Sequence, residues 1–280
     1  MTTTADRGGM RPLIVALAAL LFYIGWFVLP PLLAGQEPGT DGEPDGMEQM
    51  SAAFTTEVWL VLSVLAICLV IRDWRGLRIT TPLEPRWFLW LLPPILYLLL
   101  FVGIGQVQLR QTDISMSALL AGPFRTVLIT TFLVGIFEEF LFRGIVFRGF
   151  EKVRGPVVAF VVSSVLFGAM HYVNWIGGQS LGTTHIQVLH AGAAGLLYAG
   201  LMLKTGTIWV PVLYHGLWDC IVSVNQTIAM IAAPEMTEEM AAAIADPGIG
   251  VHVFQGAIYG FEPVYGLILF YAWYRSRRGA

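Results

Sequence analysis

The sequence predicts an all-α protein, a polytopic membrane helix bundle of about eight transmembrane helices, and three observations predict it. Of 280 residues, 56% are hydrophobic and 12% charged, with a mean hydropathy of +0.70. An ordinary globular chain carries about 25% charged residues, so this chain lacks the polar surface that water requires. Apolar runs of roughly 20 residues recur along its length. Its basic residues, finally, collect in alternate connections between those runs.

The runs lie near 12–33, 54–71, 87–106, 124–147, 157–173, 186–203, 208–231 and 254–273. In lipid the backbone satisfies its own hydrogen bonds, so runs of this length are helices. Arg7 and Arg11 precede the first run as they would a secretory signal, but the run exceeds a signal core and reads as an anchor. Pro93-Pro94 should bend or interrupt the third helix. Glu151-Lys152-Val153-Arg154-Gly155-Pro156 is the turn between the fourth and fifth. The chain reads as one integral membrane domain over 1–280, with a motif-bearing core at about 124–231.

Loop charge supplies the topology. Arg7, Arg11, Arg72, Arg75, Arg78, Arg86, Arg148, Lys152, Arg154, Lys204, Arg275, Arg277 and Arg278 all fall on one predicted side, leaving Arg110 and Arg125 opposite and Arg143 within a run. The positive-inside bias puts both termini in the cytoplasm, in a plasma or inner membrane. Residues 35–50 and 234–246, rich in acids, are then external, and the second suits a short interfacial helix starting at Pro234. The net charge of −3 averages two differently charged faces and points to no nucleic-acid partner. Cys68 and Cys220 sit in predicted spans as small packing residues, with no disulfide framework.

Charges inside the spans stand out, because each costs about 2.5–3.5 kcal/mol at the bilayer centre. The fourth run contains Phe137-Glu138-Glu139-Phe140-Leu141-Phe142-Arg143-Gly144. In an α-helix Glu139 and Arg143 stand one turn apart and neutralise each other. Glu138 points away from that guanidinium, toward an adjacent helix, and is the candidate base. His171 closes the fifth run in Phe167-Gly168-Ala169-Met170-His171, and Glu138 and His171 lie symmetrically about the Arg154–Gly155 bond. A turn there brings them to matching depth. In the seventh run Tyr214-His215-Gly216-Leu217-Trp218-Asp219 places His215 and Asp219 on one face at i,i+4. His190 precedes the small-residue row Ala191, Gly195 and Ala199, suited to close packing, and either packs there or lines the same cavity. Glu262 falls in the final run, where the following Pro263 leaves the helix boundary open, and it is left outside the site.

These residues resemble those of the CAAX protease and bacteriocin-processing enzyme family, CPBP or Abi, of intramembrane peptidases. Glu138-Glu139 through Arg143 resembles its Glu-Glu-x-x-x-Arg signature, Phe167 through His171 its Phe-x-x-x-His, and His215 through Asp219 its His-x-x-x-Asn/Asp. The resemblance spans roughly 137–219; the first three helices and the last carry no matching motif. It implies peptide-bond hydrolysis in the membrane, with Glu138 and His171 activating water and His215 and the residue at 219 stabilising the oxyanion. Asp219 departs from the Asn alternative: an ionised Asp only accepts, so it would orient His215 or act protonated.

The same donors, Glu138, His171, His215 and Asp219, are plausible zinc ligands, so a metalloprotease is the alternative chemistry; no cofactor is favoured, and no His-Glu-x-x-His motif is present. A catalytically inactive immunity or binding protein and a transporter are the alternatives from other classes; the repeated halves of many transporters are not visible. The expected partner is a membrane-associated peptide or protein within the lipid bilayer. Prenylated CAAX ends are one option, and the oligomeric state is open.

Overall fold

The eight apolar runs become helices that extend a few residues beyond the sequence boundaries. In a computed structural model, the described residues are 4–35, 37–38, 46–82, 87–112, 115, 124–232 and 249–278. They form α1 (Thr4–Leu33), α2 (Gly46–Ile71), α3 (Phe88–Leu109), α4 (Phe124–Glu139), a π-helical segment (Phe140–Val146), α5 (Phe147–Met170), the short α6 (Tyr172–Ile176), α7 (Leu181–Thr205), α8 (Trp209–Ala232) and α9 (Ile249–Arg278). The chain is thus a multi-pass helical membrane protein with no strand among the described residues. The acidic stretch 234–246 lies outside them, as does half of 35–50, whose last five residues open α2.

Five stretches are long and apolar enough to cross a membrane, one of them running from Phe124 to Ile176. That stretch is two passes. Gly155 leaves the helix at φ 82°, ψ 172°, a conformation open to glycine, and Pro156 follows with no N–H to continue the ladder. Phe142 and Phe167, equidistant from the Arg154–Gly155 bond, meet edge to face with centroids 5.2 Å apart, so the chain folds back there. α8 and α9 fall outside the five because His215, Asp219, Asn225 and Glu262 break their apolar character.

Two local expectations are narrowed. Of the bend or interruption expected at Pro93-Pro94 the interruption does not occur: α3 is continuous from Phe88 to Leu109, and the two missing donors fall near its N-terminal turns. Pro263 likewise lies inside α9, so Glu262 is a mid-helix residue and not a boundary. α7 is bounded by local caps: Ser180 accepts from the Thr183 N–H at its start, and Gly206, at φ 80°, closes it.

The basic connections share one end of the bundle. Arg78 pairs with Glu151 at 3.0 Å and Arg148 with Asp73, tying the α2–α3 connection to the turn at Gly155. The Arg78 carbonyl accepts from the Ile208 N–H at 3.1 Å, which brings the α7–α8 connection to the same place. The start of α1 lies against Gly149, and the end of α9 arrives there through Phe270, stacked on Phe160 at 4.3 Å. Outward faces carry exposed apolar residues such as Val70, Leu89 and Leu189, suited to lipid. Inside, Phe140, Leu141, Phe142, Ile145 and Val146 are at most 2% exposed, so the π segment is the centre of the packing.

Candidate active site

Glycine contacts set the spacing of the three motif-bearing helices. A Cβ on Gly135 would come within 2.9 Å of the Val212 carbonyl oxygen and 3.1 Å of the Gly216 nitrogen, so α4 and α8 touch one turn from Glu139 and one residue from His215. A Cβ on Gly168 would meet the Val188 carbonyl oxygen at 2.5 Å, which draws α5 onto α7. Small residues give such approach without a hydrophobic drive between helices in lipid.

The π segment begins immediately after the two glutamates. The Phe147 N–H reaches back five residues to the Phe142 carbonyl, and such wide turns are frequent at functional sites. Glu139 and Arg143 nevertheless pair at 3.1 Å, both side chains wholly buried. The guanidinium also donates to the Gly195 carbonyl at 3.1 Å and lies over the rings of Phe167 (4.2 Å) and Tyr198 (5.1 Å). A Cβ on Gly195 would stand 3.2 Å from Arg143 Nη2, so a glycine there leaves room for the charge. Carboxylate, carbonyl and two π faces together replace the water this cation loses.

Glu139 does more than neutralise Arg143. The same oxygen, Oε1, accepts from His215 Nδ1 at 3.0 Å, which fixes that proton on Nδ1 because a carboxylate only accepts. The ring, 4% exposed, stacks on Tyr198 at 4.7 Å and meets the edge of Phe167 at 5.7 Å. Its Nε2 then points to Asp219 Oδ2 at 3.3 Å and Glu138 Oε2 at 3.6 Å. Arg143, Glu139, His215, Asp219 and Glu138 thus form one chain of charge, supported by two aromatic rings.

His171 takes a different place. Its Nδ1 donates to the Phe167 carbonyl at 3.0 Å, which leaves Nε2 as the basic nitrogen of the neutral ring. Among the described residues no ion pair joins it to Glu138. His171, His215 and Asp219 do line one cavity of about 810 Å³, within the range of ligand sites. Of the six sequence candidates, Glu138, Glu139, Arg143, His215 and Asp219 are therefore linked in series through Glu139 and His215, and His171 shares the cavity wall with His215 and Asp219.

Two acids join the site without having been singled out for it. His190, for which the cavity wall was one of two expected places, lines the cavity, and Glu262 on α9 lies 3.3 Å from it. Glu57 on α2 is electrostatically coupled to Glu138 and Asp219. The available signal was the cost of an acid within a span, but both acids sit near a run's edge or beside a proline. Among the described residues no group of three or more His, Cys, Asp or Glu side chains is placed to hold a metal ion. Nδ1 of His215 is engaged by Glu139 and Nδ1 of His171 by a carbonyl, which orients both rings and leaves each Nε2 for chemistry.

No curated protein and no solved structure matches the chain. Residues 120–221, which run from just before α4 into α8 and contain the entire Arg143–Glu139–His215 chain, match the family model Rce1-like, described as type II CAAX prenyl endopeptidase Rce1-like, a match consistent with the CPBP family.

Proposed function

We propose that the protein is an intramembrane endopeptidase that hydrolyses a peptide bond of a membrane-associated substrate with a glutamate- and histidine-activated water. The observation that carries this reading is the buried chain from Arg143 through Glu139 to His215, ending on Asp219 and Glu138 beside a cavity that also holds His171. The Rce1-like match over 120–221 supports the reaction class, and prenylated CAAX ends are the substrate chemistry its description names.

In this mechanism the attacking water is activated by Glu138 and by Nε2 of His171. Glu138 takes one proton as the oxygen attacks the peptide carbonyl, and the carbonyl electrons move onto its oxygen. That oxyanion is met by His215 Nε2, which donates when it carries a proton, while Asp219 orients it. The C–N bond then breaks, and Glu138 returns its proton to the leaving amine. Glu139 and Arg143 position His215 and carry no proton in the reaction. The basic end of the bundle, with both chain termini, is cytoplasmic in this reading, the membrane is a plasma or inner membrane, and the whole chain is one domain.

The test is cleavage of an internally quenched peptide by the purified protein in liposomes. Glu138→Gln, His171→Ala and His215→Ala should each lower kcat by about 10²–10⁴-fold, with folding checked by size exclusion. Retained cleavage in all three sinks the site assignment. Substrate-coupled ion flux with no cleavage by the wild type replaces it with transport.

A further inference from the structure

The last helix brings a buried acid to the cavity that none of the three motifs covers. Glu262 is 0% exposed, and neither carboxyl oxygen has a hydrogen-bond partner among the described residues. Oε2 nevertheless lies 3.3 Å from His190 Nε2, at ion-pair distance. An acid in a span with no task is a cost without return, and its one close polar neighbour is a cavity-lining histidine.

The placement is rigid. A Cβ on Gly200 would come within 2.8 Å of the Gly266 carbonyl oxygen, and one on Gly266 within 2.5 Å of the Leu196 backbone, so α7 and α9 are in backbone contact. Glu262 sits one turn before Gly266 on the same face. Its neighbour Phe261 stacks on Tyr97 at 4.5 Å, and Tyr97 stacks on Trp218 at 5.4 Å, beside Asp219. Trp218 also packs against the His190 ring at 5.7 Å, with Tyr259 at 5.9 Å on it as well. Stacked rings therefore connect the α9 acid to the helix that bears His215 and Asp219.

About a quarter of the His190 side chain is exposed (27%), in a cavity wall that combines Ile186, Leu189, Trp218, Val222 and Tyr259 with the polar Gln187 and Gln226. The apolar part of this wall offers a peptide backbone few partners, and an unpaired backbone group in an apolar site is costly. We propose that Glu262 and His190 form a substrate-binding subsite, in which Glu262 accepts from Nε2 and leaves Nδ1 to accept a backbone N–H of the peptide. Glu262 is then a positioning residue that acts through His190. The subsite rests on the peptidase reading above and extends it to how the peptide is held.

The test measures steady-state cleavage of the quenched peptide by the full chain in liposomes. His190→Phe keeps the ring and removes both nitrogens; it should raise KM by about tenfold or more while kcat stays within about threefold. Glu262→Leu should show the same KM defect, with the double variant no worse than His190→Phe alone. Glu262→Gln, whose amide oxygen still accepts, should keep KM within about twofold, and it carries the test if Glu262→Leu fails to fold. An N-methyl scan of the peptide should find one position where methylation raises KM for the wild type and not for His190→Phe. Unchanged KM in His190→Phe, a loss in kcat alone, or additive defects overturn the subsite and leave the peptidase standing. A wild type that cleaves no peptide overturns both.

Discussion

The outer helices and α7 are both apolar enough to span a membrane, yet they solve different problems. In α1, α2 and α3 about 22% of the most apolar window is buried, whereas in α7 the figure is 56%. The first three meet lipid along most of their surface, so shape matters on one narrow face. α7 is enclosed by α5, α8 and α9 and presents Gly192, Gly195 and Gly200 to its neighbours. Composition therefore identifies a span; the volume of individual side chains decides whether it is outside or inside.

The largest effect expected from that difference is at Arg143, held between α4 and α7. Arg143→Met leaves Glu139 buried without its cation and should cost about 3–5 kcal/mol, read as a fall in unfolding midpoint in detergent. The double variant Glu139→Gln/Arg143→Met should recover much of it, since no uncompensated charge remains. A loss below about 1 kcal/mol for Arg143→Met would mean that the interior is as forgiving as the rim.

A single methyl sharpens the comparison. Gly168→Ala drives a Cβ to 2.5 Å from the Val188 carbonyl and should destabilise by about 1–3 kcal/mol. Gly103→Ala on α3 meets nothing within 4 Å and should be neutral or stabilising by about 0.5–1 kcal/mol, as for any exposed helical glycine. Equal effects in thermal melts would erase the distinction between the two regions.

The smallest effect lies outside the membrane. Asp73 accepts the Gly76 N–H at 2.9 Å and pairs with Arg148, and that backbone hydrogen bond, followed by the arginine, holds its carboxyl below the ordinary value of 3.8. A depressed carboxylate stabilises the fold above its ordinary pKa and ceases to do so as pH falls through the lower, folded one. Asp73→Asn should therefore cost at most about 1 kcal/mol at pH 7, the side chain being well exposed. The gap between variant and wild type should close as the pH is taken progressively below 3.8. A gap that persists in acid would assign the effect to packing.

How much of this was legible depended on whether the partners share a helix. Glu139 and Arg143, four residues apart, pair as their spacing requires, and His215 and Asp219 do the same. The fold-back at Gly155 was readable because a glycine, a proline and flanking charge coincide there. The acid that bonds His215 was not readable. Adjacent glutamates differ only in direction, and sequence spacing assigned Glu139 to Arg143 and Glu138 to the chemistry. In the structure Glu139 serves both Arg143 and His215, through a single oxygen.

Glu262 shows the same limit from farther away. Its proline neighbour left the helix boundary open by local rule, and only the Gly200–Gly266 contact, joining two helices more than sixty positions apart, carries it to His190. The π segment is equally invisible, because the residues of Phe140–Val146 do not distinguish a wide turn from an α-helical one.

By itself the sequence determined the solvent, the helices, the turn at Gly155 and the residues too expensive to bury without a purpose, since each follows from hydropathy or from geometry within one element. Only the tertiary structure decided which acid serves which base and that the last helix belongs at the cavity. Those pairings depend on interhelical distances of a few ångströms, set by where a missing Cβ lets two backbones meet.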